Sequence, residues 1–285
     1  MQSTLLHHPA SRAPEAAQLV ATLVADAATQ SGTVAGSSNS SEPRPLVHLA
    51  RLGGNGSRAD DGDSQFAIGF GPGPVEGHQW TEVGRLDLKA TSVETVLLAA
   101  LSAVAMQHVR EAEVQIGDPV IVFGHDAWSL LLVQWAKLQG ASPIAFVAQG
   151  TRPLTEHAAA IGVDEIIAEP SAANVSKAVK RTYRGAGFAV ALDASATELS
   201  LTRALTAVRD GGRYVLAAID PDRHVSLNAY PDLHRRDLEI TTPMPSVEGP
   251  EFTRLFRFNL DLANRGRLRL DGVIDHTSGW RILNA

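Results

Sequence analysis

One segment, residues 118–140, constrains the fold more than any other part of this chain. It reads DPVIVFGHDAWSLLLVQWAKLQG, in which an apolar run, VIVF, leads directly into Gly124. A stretch with an apolar stripe follows at 127–138, and Gly140 is placed to end it. A buried strand, a tight turn and a helix in this order are typical of the first unit of a dinucleotide-binding fold.

The turn itself departs from the fingerprint G-x-G-x-x-G. Gly124 keeps the first glycine, whereas Asp126 and Ser129 replace the second and third. Asp126 can cap the helix, because a helix N-terminus attracts a carboxylate. Since that carboxylate would compete with a pyrophosphate for the same amides, we expect Asp126 to block the usual pyrophosphate binding. Trp128 either adds bulk beside it or simply packs.

From residue 91 onward, apolar runs alternate regularly with helical patterns. Strands are predicted at 119–123, 143–148, 164–168, 187–192 and 212–219, and helices at 93–111, 127–138, 153–160, 171–183 and 196–208. Continuous apolar strands indicate a parallel sheet that is covered on both faces. The pattern predicts an α/β fold with a Rossmann-like doubly wound parallel sheet, followed by a helix at 251–264 and a short strand near Val273.

The N-terminal region lacks this regularity and is predicted to be short and irregular. A helix is expected over 11–30, where leucine and valine recur on one face. Segments rich in Ser, Gly, Pro and Asp at 31–45 and 53–63 are typical of loops or flexible linkers. Short strands are predicted at 46–49, 66–70 and 77–83.

These patterns divide the chain into three predicted parts. A truncated, partly flexible N-terminal region covers 1–92, a Rossmann-like domain of the nucleotide-binding type covers 93–270, and a tail covers 271–285.

Composition excludes several classes of protein. The net charge of −6 disfavours nucleic acid as a partner, and the absence of Cys excludes disulfides and Cys-ligated zinc. No apolar run approaches the ~18 residues of a membrane span, and the N-terminus lacks the features of a signal peptide. We therefore expect a cytoplasmic protein with a small-molecule substrate, no membrane partner and a possible homo-oligomeric state.

Six segments resemble, in order, pieces of the medium-chain dehydrogenase/reductase family, the zinc-type alcohol and polyol dehydrogenases. They are VAMQHVREAEVQIGD at 104–118, LLVQWAKLQGA at 131–141, AAIGVDEI at 159–166, AVALDAS at 189–195, VRDGGRYVLAAI at 208–219 and LHRRDLEI at 233–240. The resemblance implies hydride transfer between a nicotinamide dinucleotide and a small alcohol or carbonyl compound.

The chain also departs from that family's pattern. Its catalytic N-terminal portion is shortened, and Ala100 occupies the position on the linking helix where the family carries a zinc ligand, Cys or Glu. Surface exposure is the expected state of His7, His8 and His78. No zinc is therefore predicted.

The resemblance also places candidate cofactor residues. Gln149 occupies the position of the acid that binds the ribose in NAD enzymes, at the end of the second strand. Thr151 and Arg152 follow, and an arginine there can accommodate a 2′-phosphate, so NADP is favoured unless Arg152 is only an exposed loop residue. Asp193 and Ser195 end the fourth strand, where ligands collect in open α/β sheets, although Asp193 could equally cap a helix starting at 196.

Two functions remain open from the sequence. One is a zinc-independent oxidoreductase that transfers hydride between NADP(H) and a small carbonyl or alcohol. The other is a non-redox pseudoenzyme or assembly subunit that has lost dinucleotide binding. The altered glycine turn, the missing acid and Ala100 favour the second, whereas the family resemblance favours the first, and no side chain stands out as a proton donor.

Overall fold

The structure is a computed structural model that describes residues 17–25, 44–52, 65–70, 79–148, 152–168, 171–195, 197–217, 228–270, 273–274 and 280–284. These residues fall into two compact units. The first unit consists of the described residues within 1–100, 246–264 and 281–285, and the second of those within 101–245 and 265–280.

The strands, in chain order, are β1 (Ala17–Ala25), β2 (Arg44–Leu52), β3 (Gln65–Phe70), β4 (Gln79–Arg85), β5 (Val120–Gly124), β6 (Ile144–Ala148), β7 (Glu165–Ile167), β8 (Phe188–Asp193), β9 (Val208–Leu216), β10 (Glu239–Thr241) and β11 (Trp280–Asn284). The α-helices are α1 (Val93–Glu111), α2 (Ala127–Leu138), α3 (Arg152–Ala160), α4 (Ala172–Arg181), α5 (Glu198–Ala207) and α6 (Gly249–Asn264). Short helical turns cover Thr182–Gly185 and Ala229–Arg236. Among the described helices, none has the length and apolarity that crossing a membrane requires.

The second unit is built on a six-stranded sheet in the order β10-β9-β8-β5-β6-β7, and its neighbouring strands are parallel. Numbered from β5, this is the order 3-2-1-4-5-6 of doubly wound dinucleotide-binding sheets. The predicted Rossmann-like fold class is confirmed.

β5 lies at the centre of this sheet and is buried along its whole length. Val120 is paired with Ile144 of β6 on one side and with Val190 of β8 on the other. Burial on both faces explains why the strand is a continuous apolar run rather than an alternating one. Its side chains Ile121 and Phe123 belong to a core cluster shared with β6, β8, α4 and α5.

The helix predicted at 127–138 has the same bounds in the structure, and its end is encoded locally. Gln139 is the C-terminal cap, and Gly140 follows with φ of 95°. Only glycine adopts this left-handed backbone without a steric cost, so Gly140 ends the helix as predicted.

The first unit contains a five-stranded sheet in the order β11-β1-β2-β3-β4, with antiparallel pairing from β1 to β4. α6 packs on this sheet. The Arg257 guanidinium of α6 donates to the carbonyls of Val83 and Arg85 on β4. The ring of Phe252 meets Phe70 edge-on, with ring centroids 5.3 Å apart. The strands predicted within this region are therefore confirmed where the structure describes them.

Two predicted elements are wrong. The helix expected over 11–30 is replaced, within the described residues, by strand β1, which pairs with β2. The register slips between Leu19 and Ala21 and again between Leu23 and Val24. Such bulges interrupt the strict alternation of inward and outward side chains along a strand. The apolar pairs Leu19-Val20 and Leu23-Val24 therefore recur with the four-residue spacing that is typical of a helical face. The strand expected near Val273 is a bend instead, with the Val273 amide bonded to the Leu270 carbonyl.

Candidate functional site

The sheet order creates a crevice at the carboxyl ends of β5 and β8, which are neighbours although they come from different halves of the fold. Connections leave these two strands in opposite directions, and ligands of open α/β sheets bind at such a switch point. The Ala194 amide donates to the Phe123 carbonyl at 2.9 Å, and the Ala217 amide donates to the Asp193 carbonyl at 2.9 Å. The ends of β5, β8 and β9 are thus held side by side.

Gly124 permits a very close approach of the turn to α2. A β-carbon at residue 124 would lie 2.0 Å from the β-carbon of Ser129 and 2.4 Å from its hydroxyl oxygen. Neither of these Ser129 atoms can move far enough to relieve such a clash, because Ser129 is fully buried. The tight turn therefore depends on Gly124, and Ser129 packs where the third glycine of the fingerprint would stand.

Asp126 caps α2, which confirms the predicted cap. Its extended backbone places the carboxylate Oδ1 3.2 Å from the Ser129 amide, which donates to it. The Ser129 hydroxyl donates in return to the Asp126 carbonyl at 2.6 Å. The carboxylate thus lies at the positive end of the helix, where a phosphate would otherwise be favoured.

Trp128 packs into the interior rather than adding bulk at the surface. The side chain is fully buried, and its indole N–H donates to the Ala217 carbonyl just beyond β9. The His108 ring of α1 meets the indole edge-on, with ring centroids 5.2 Å apart. Burial lowers the pKa of His108 most, against smaller raising effects of its bond to the Val104 carbonyl and of Glu111.

Asp193 is fully buried, and its carboxylate accepts hydrogen bonds from several neighbouring residues. Oδ1 accepts from the Ser195 amide at 2.9 Å, and Oδ2 accepts from the Ser200 hydroxyl at 2.7 Å and the Tyr214 hydroxyl at 2.9 Å. Burial, then the charge of Asp193 and its hydrogen bond, raise the pKa of Tyr214. Tyr214 therefore remains a protonated donor that helps to hold this loop.

The alternative that Asp193 caps the next helix is wrong. α5 begins at Glu198, and its N-cap is Thr197, whose hydroxyl accepts the Ser200 amide at 2.9 Å. The sequence reasoning also missed Ser200 and Tyr214 as partners of Asp193. No local signal marked these two residues, because α5 and β9 each carry several other polar side chains.

Ser195 follows β8 and is 3% exposed. Its amide is bonded to Asp193, but its hydroxyl has no hydrogen-bond partner within the described part of the chain. Gly124, Asp126, Ser129, Asp193 and Ser195 are thus brought together by the ends of β5 and β8 and the start of α2.

The side chains of the other predicted cofactor residues lie outside the described part of the structure. Gln149 and Thr151 lie outside the described residues. Arg152 is the first residue of α3, which begins after β6, and its side chain is not described.

The described residues contain no group of three His, Asp or Glu side chains that could hold a metal ion. Ala100, at the expected ligand position, is a fully buried residue of α1. His7, His8 and His78 lie outside the described residues.

Comparison with known proteins supports the resemblance to a dehydrogenase family over part of the chain. A sequence model described as zinc-binding dehydrogenase matches residues 129–254, which run from the start of α2 into α6. Over these residues the chain is similar to the medium-chain dehydrogenase/reductase family.

Similar proteins include a probable D-xylulose reductase A of Aspergillus niger, which is 31% identical over 133 residues. The match covers 46% of this chain and 37% of that reductase. The chain thus spans little more than a third of the length of this curated relative.

Solved structures extend the similarity of fold. The alcohol dehydrogenase TADH from Thermus sp. ATN1 has a TM-score of 0.63 at 20% identity, covering 93% of this chain and 86% of that chain. A putative zinc-binding dehydrogenase from Sinorhizobium meliloti, solved bound to NADP, has a TM-score of 0.64 at 16% identity, covering 93% and 85%.

Proposed function

We propose that this chain is a zinc-independent oxidoreductase that transfers hydride between NADP(H) and a small carbonyl compound or alcohol of the ketose–polyol kind. The observation that carries the proposal is the switch-point crevice of a dinucleotide-type sheet, in a stretch that matches the zinc-binding dehydrogenases. The similarity to a D-xylulose reductase supports the substrate class.

The crevice fits a dinucleotide in part. Gly124 closes the turn tightly against Ser129, which is the role of the first glycine of the fingerprint. Asp126 departs from the fit, since its carboxylate and a pyrophosphate favour the same helix end. Binding therefore requires the phosphates to pass to one side of the Asp126 carboxylate.

The preference for NADP rests on the second strand. Gln149 replaces the acid that would accept a ribose 2′-hydroxyl, and Arg152 begins the helix that follows β6. An arginine at this place can pair with a 2′-phosphate, which NADP carries and NAD lacks.

Zinc independence rests on the donor set. The chain has no Cys, and the linking-helix position is the methyl side chain of Ala100. Since a catalytic zinc needs three protein ligands, no step of the proposed reaction depends on zinc.

In the proposed reaction, the bound nicotinamide supplies the hydride chemistry. The protein contributes a rigid crevice around it. The Asp193 carboxylate fixes the loop after β8 through Ser200 and Tyr214, and the Trp128 indole fills the interior against Ala217. Both interactions hold side chains of this unit in fixed positions, which favours an oriented ligand.

The test is a titration of the purified chain with NADPH and NADH, followed by the fluorescence of the buried Trp128 and Trp135. NADPH should bind more tightly than NADH, and Arg152→Ala should erase the difference. Arg181→Ala, which removes an arginine paired with Glu165 in the same unit, should leave the preference intact. An unchanged ratio of dissociation constants in Arg152→Ala would refute the assignment of Arg152.

The same experiment distinguishes the oxidoreductase from the second candidate, a non-redox descendant of the family. The capping role of Asp126 favours this second candidate. If neither dinucleotide binds at millimolar concentration, that reading replaces the oxidoreductase. Binding at micromolar concentration, followed by NADPH oxidation with a panel of ketoses and small aldehydes, supports the oxidoreductase.

A further inference from the structure

The Asp126 carboxylate lies at the turn where the pyrophosphate of a dinucleotide is expected. Its Oδ1 accepts the Ser129 amide at 3.2 Å, at the N-terminal end of α2. Asp126 is half-buried, so it remains in contact with solvent. In a doubly wound sheet, pyrophosphate binds beside the turn after the first strand, at the start of the following helix. A dinucleotide bound in this way would bring further negative charge up to Asp126.

A proton on Asp126 would remove the conflict between these two anions. A second anion close to a carboxylate favours the protonated, neutral form of that group. A protonated carboxyl still has an oxygen that can accept the Ser129 amide, so α2 keeps its cap while the charge is lost. A rotation of the carboxylate away from the helix would also admit the phosphates, but it would take up no proton.

We infer that dinucleotide binding is coupled to the uptake of a proton by the Asp126 carboxylate, so that the affinity of this chain for NADP(H) depends on pH. This inference rests on the proposed function. Because the bound form holds the proton more tightly than the free form, the affinity strengthens as the pH falls. A turn with glycine at this position has no group that could couple binding to pH in this way.

Other groups near this turn also titrate or carry charge, and they must be separated from Asp126. They are His125 in the turn itself, the buried Asp193 at the end of β8, His108 of α1 and Arg152 at the start of α3. The 2′-phosphate of the ligand titrates as well. All of them are unchanged in Asp126→Asn, so the difference between this variant and the wild type isolates the carboxylate.

The test measures the dissociation constant of NADP⁺, which is stable in acid, at pH 8 and at pH 5.5. Asparagine caps a helix as well as aspartate does, so Asp126→Asn should keep the melting temperature of the wild type. The wild type should bind more weakly than Asp126→Asn at pH 8. The ratio of the two dissociation constants should shrink at least roughly three-fold at pH 5.5, within the limit of about ten-fold per pH unit that one proton sets.

Asp118→Asn is the matched control. Its Oδ2 accepts the Gln115 amide at 2.9 Å, just before the other end of β5. This variant also loses a carboxylate bonded to a backbone amide, but it should keep the pH dependence of the wild type. Asp126→Ser, a second uncharged cap, should behave as Asp126→Asn does.

Calorimetry at pH 5.5, in two buffers that differ in ionisation enthalpy, counts the protons taken up on binding. The wild type should take up more protons than Asp126→Asn. A ratio of dissociation constants that does not change with pH, or equal proton numbers in the two proteins, would overturn the role of Asp126 and leave the proposed function standing. Failure of the wild type to bind either NADP⁺ or NADPH would overturn both.

Discussion

At the scale of single residues, the cap of α2 at the turn after β5 competes with an anionic ligand for the same backbone amides. Asp126 satisfies the Ser129 amide, and Gly124 is required by the close packing of the Ser129 side chain. A glycine at 126 would leave those amides to a phosphate, whereas the aspartate occupies them. The same residue thus stabilises α2 and opposes the anion that a helix start would otherwise attract.

Asp126→Gly tests this opposition. Replacing an N-cap by glycine costs only a few tenths of a kcal/mol, so urea denaturation should give a free energy of unfolding close to that of the wild type. The affinity for NADPH should rise, because the competing carboxylate is gone. Ser171→Gly removes the N-cap of α4, which accepts the Asn174 amide, and serves as the control. It should change stability equally little and leave the affinity unaltered, and a fall in affinity for Asp126→Gly would contradict the competition.

At the scale of elements, one indole joins two helices and a strand of the second unit. Trp128 begins α2, contacts His108 of α1 through its ring and bonds the carbonyl that follows β9. A second tie is Gln134 of α2, whose side-chain amide pairs with both the N–H and the carbonyl of Arg269. Polar side chains therefore fix the register of α2 against segments that are far away in sequence.

The contact between α1 and α2 predicts a dependence of stability on pH. Because burial lowers the pKa of His108 below its ordinary value of 6.5, the unfolded chain takes up a proton before the folded chain does. Stability should therefore decrease as the pH falls below about 6.5, by at most about 1.4 kcal/mol per pH unit, and the decrease should level off below the folded-state pKa.

Urea denaturation at pH 7.5 and at pH 5.5 measures this effect. His108→Phe keeps an aromatic ring against Trp128 and cannot be protonated, so it should lose less stability between the two pH values than the wild type. His234→Gln, which removes an exposed histidine beside Tyr230, should behave as the wild type does. Equal losses in the wild type and in His108→Phe would show that His108 does not carry the dependence.

At the scale of the whole molecule, the chain combines a nucleotide-type unit with a unit built on an antiparallel sheet. No cysteine occurs anywhere in the sequence, and the position of the family's ligand on α1 is Ala100. We therefore expect elemental analysis of the dialysed protein to give far less than one zinc per chain. Ala100→Glu restores a carboxylate at this position and is the comparison, and about one zinc per wild-type chain would refute the prediction.

Much of the second unit was predictable because its signals are local. The periodicity of 93–111 and 127–138 gives both helices with their observed bounds, and Asp126 and Gly140 mark the start and the end of α2. The partners of Asp193 were not predictable in this way. Ser200 and Tyr214 lie on different elements, and only the pairing of β8 with β9 brings Tyr214 within hydrogen-bond distance.

The sequence by itself determined the alternation of strands and helices, the parallel sheet and the glycine turn, because hydrophobic periodicity and capping act over a few residues. Tertiary structure decided what depends on distant partners. The segment 17–25 becomes a strand because β2 pairs with it across two bulges, and α6 joins β4 because Arg257 finds carbonyls more than 170 residues earlier in the chain. The burial of the Ser195 side chain is also a product of packing, since it exists only once the ends of β5, β8 and β9 have met.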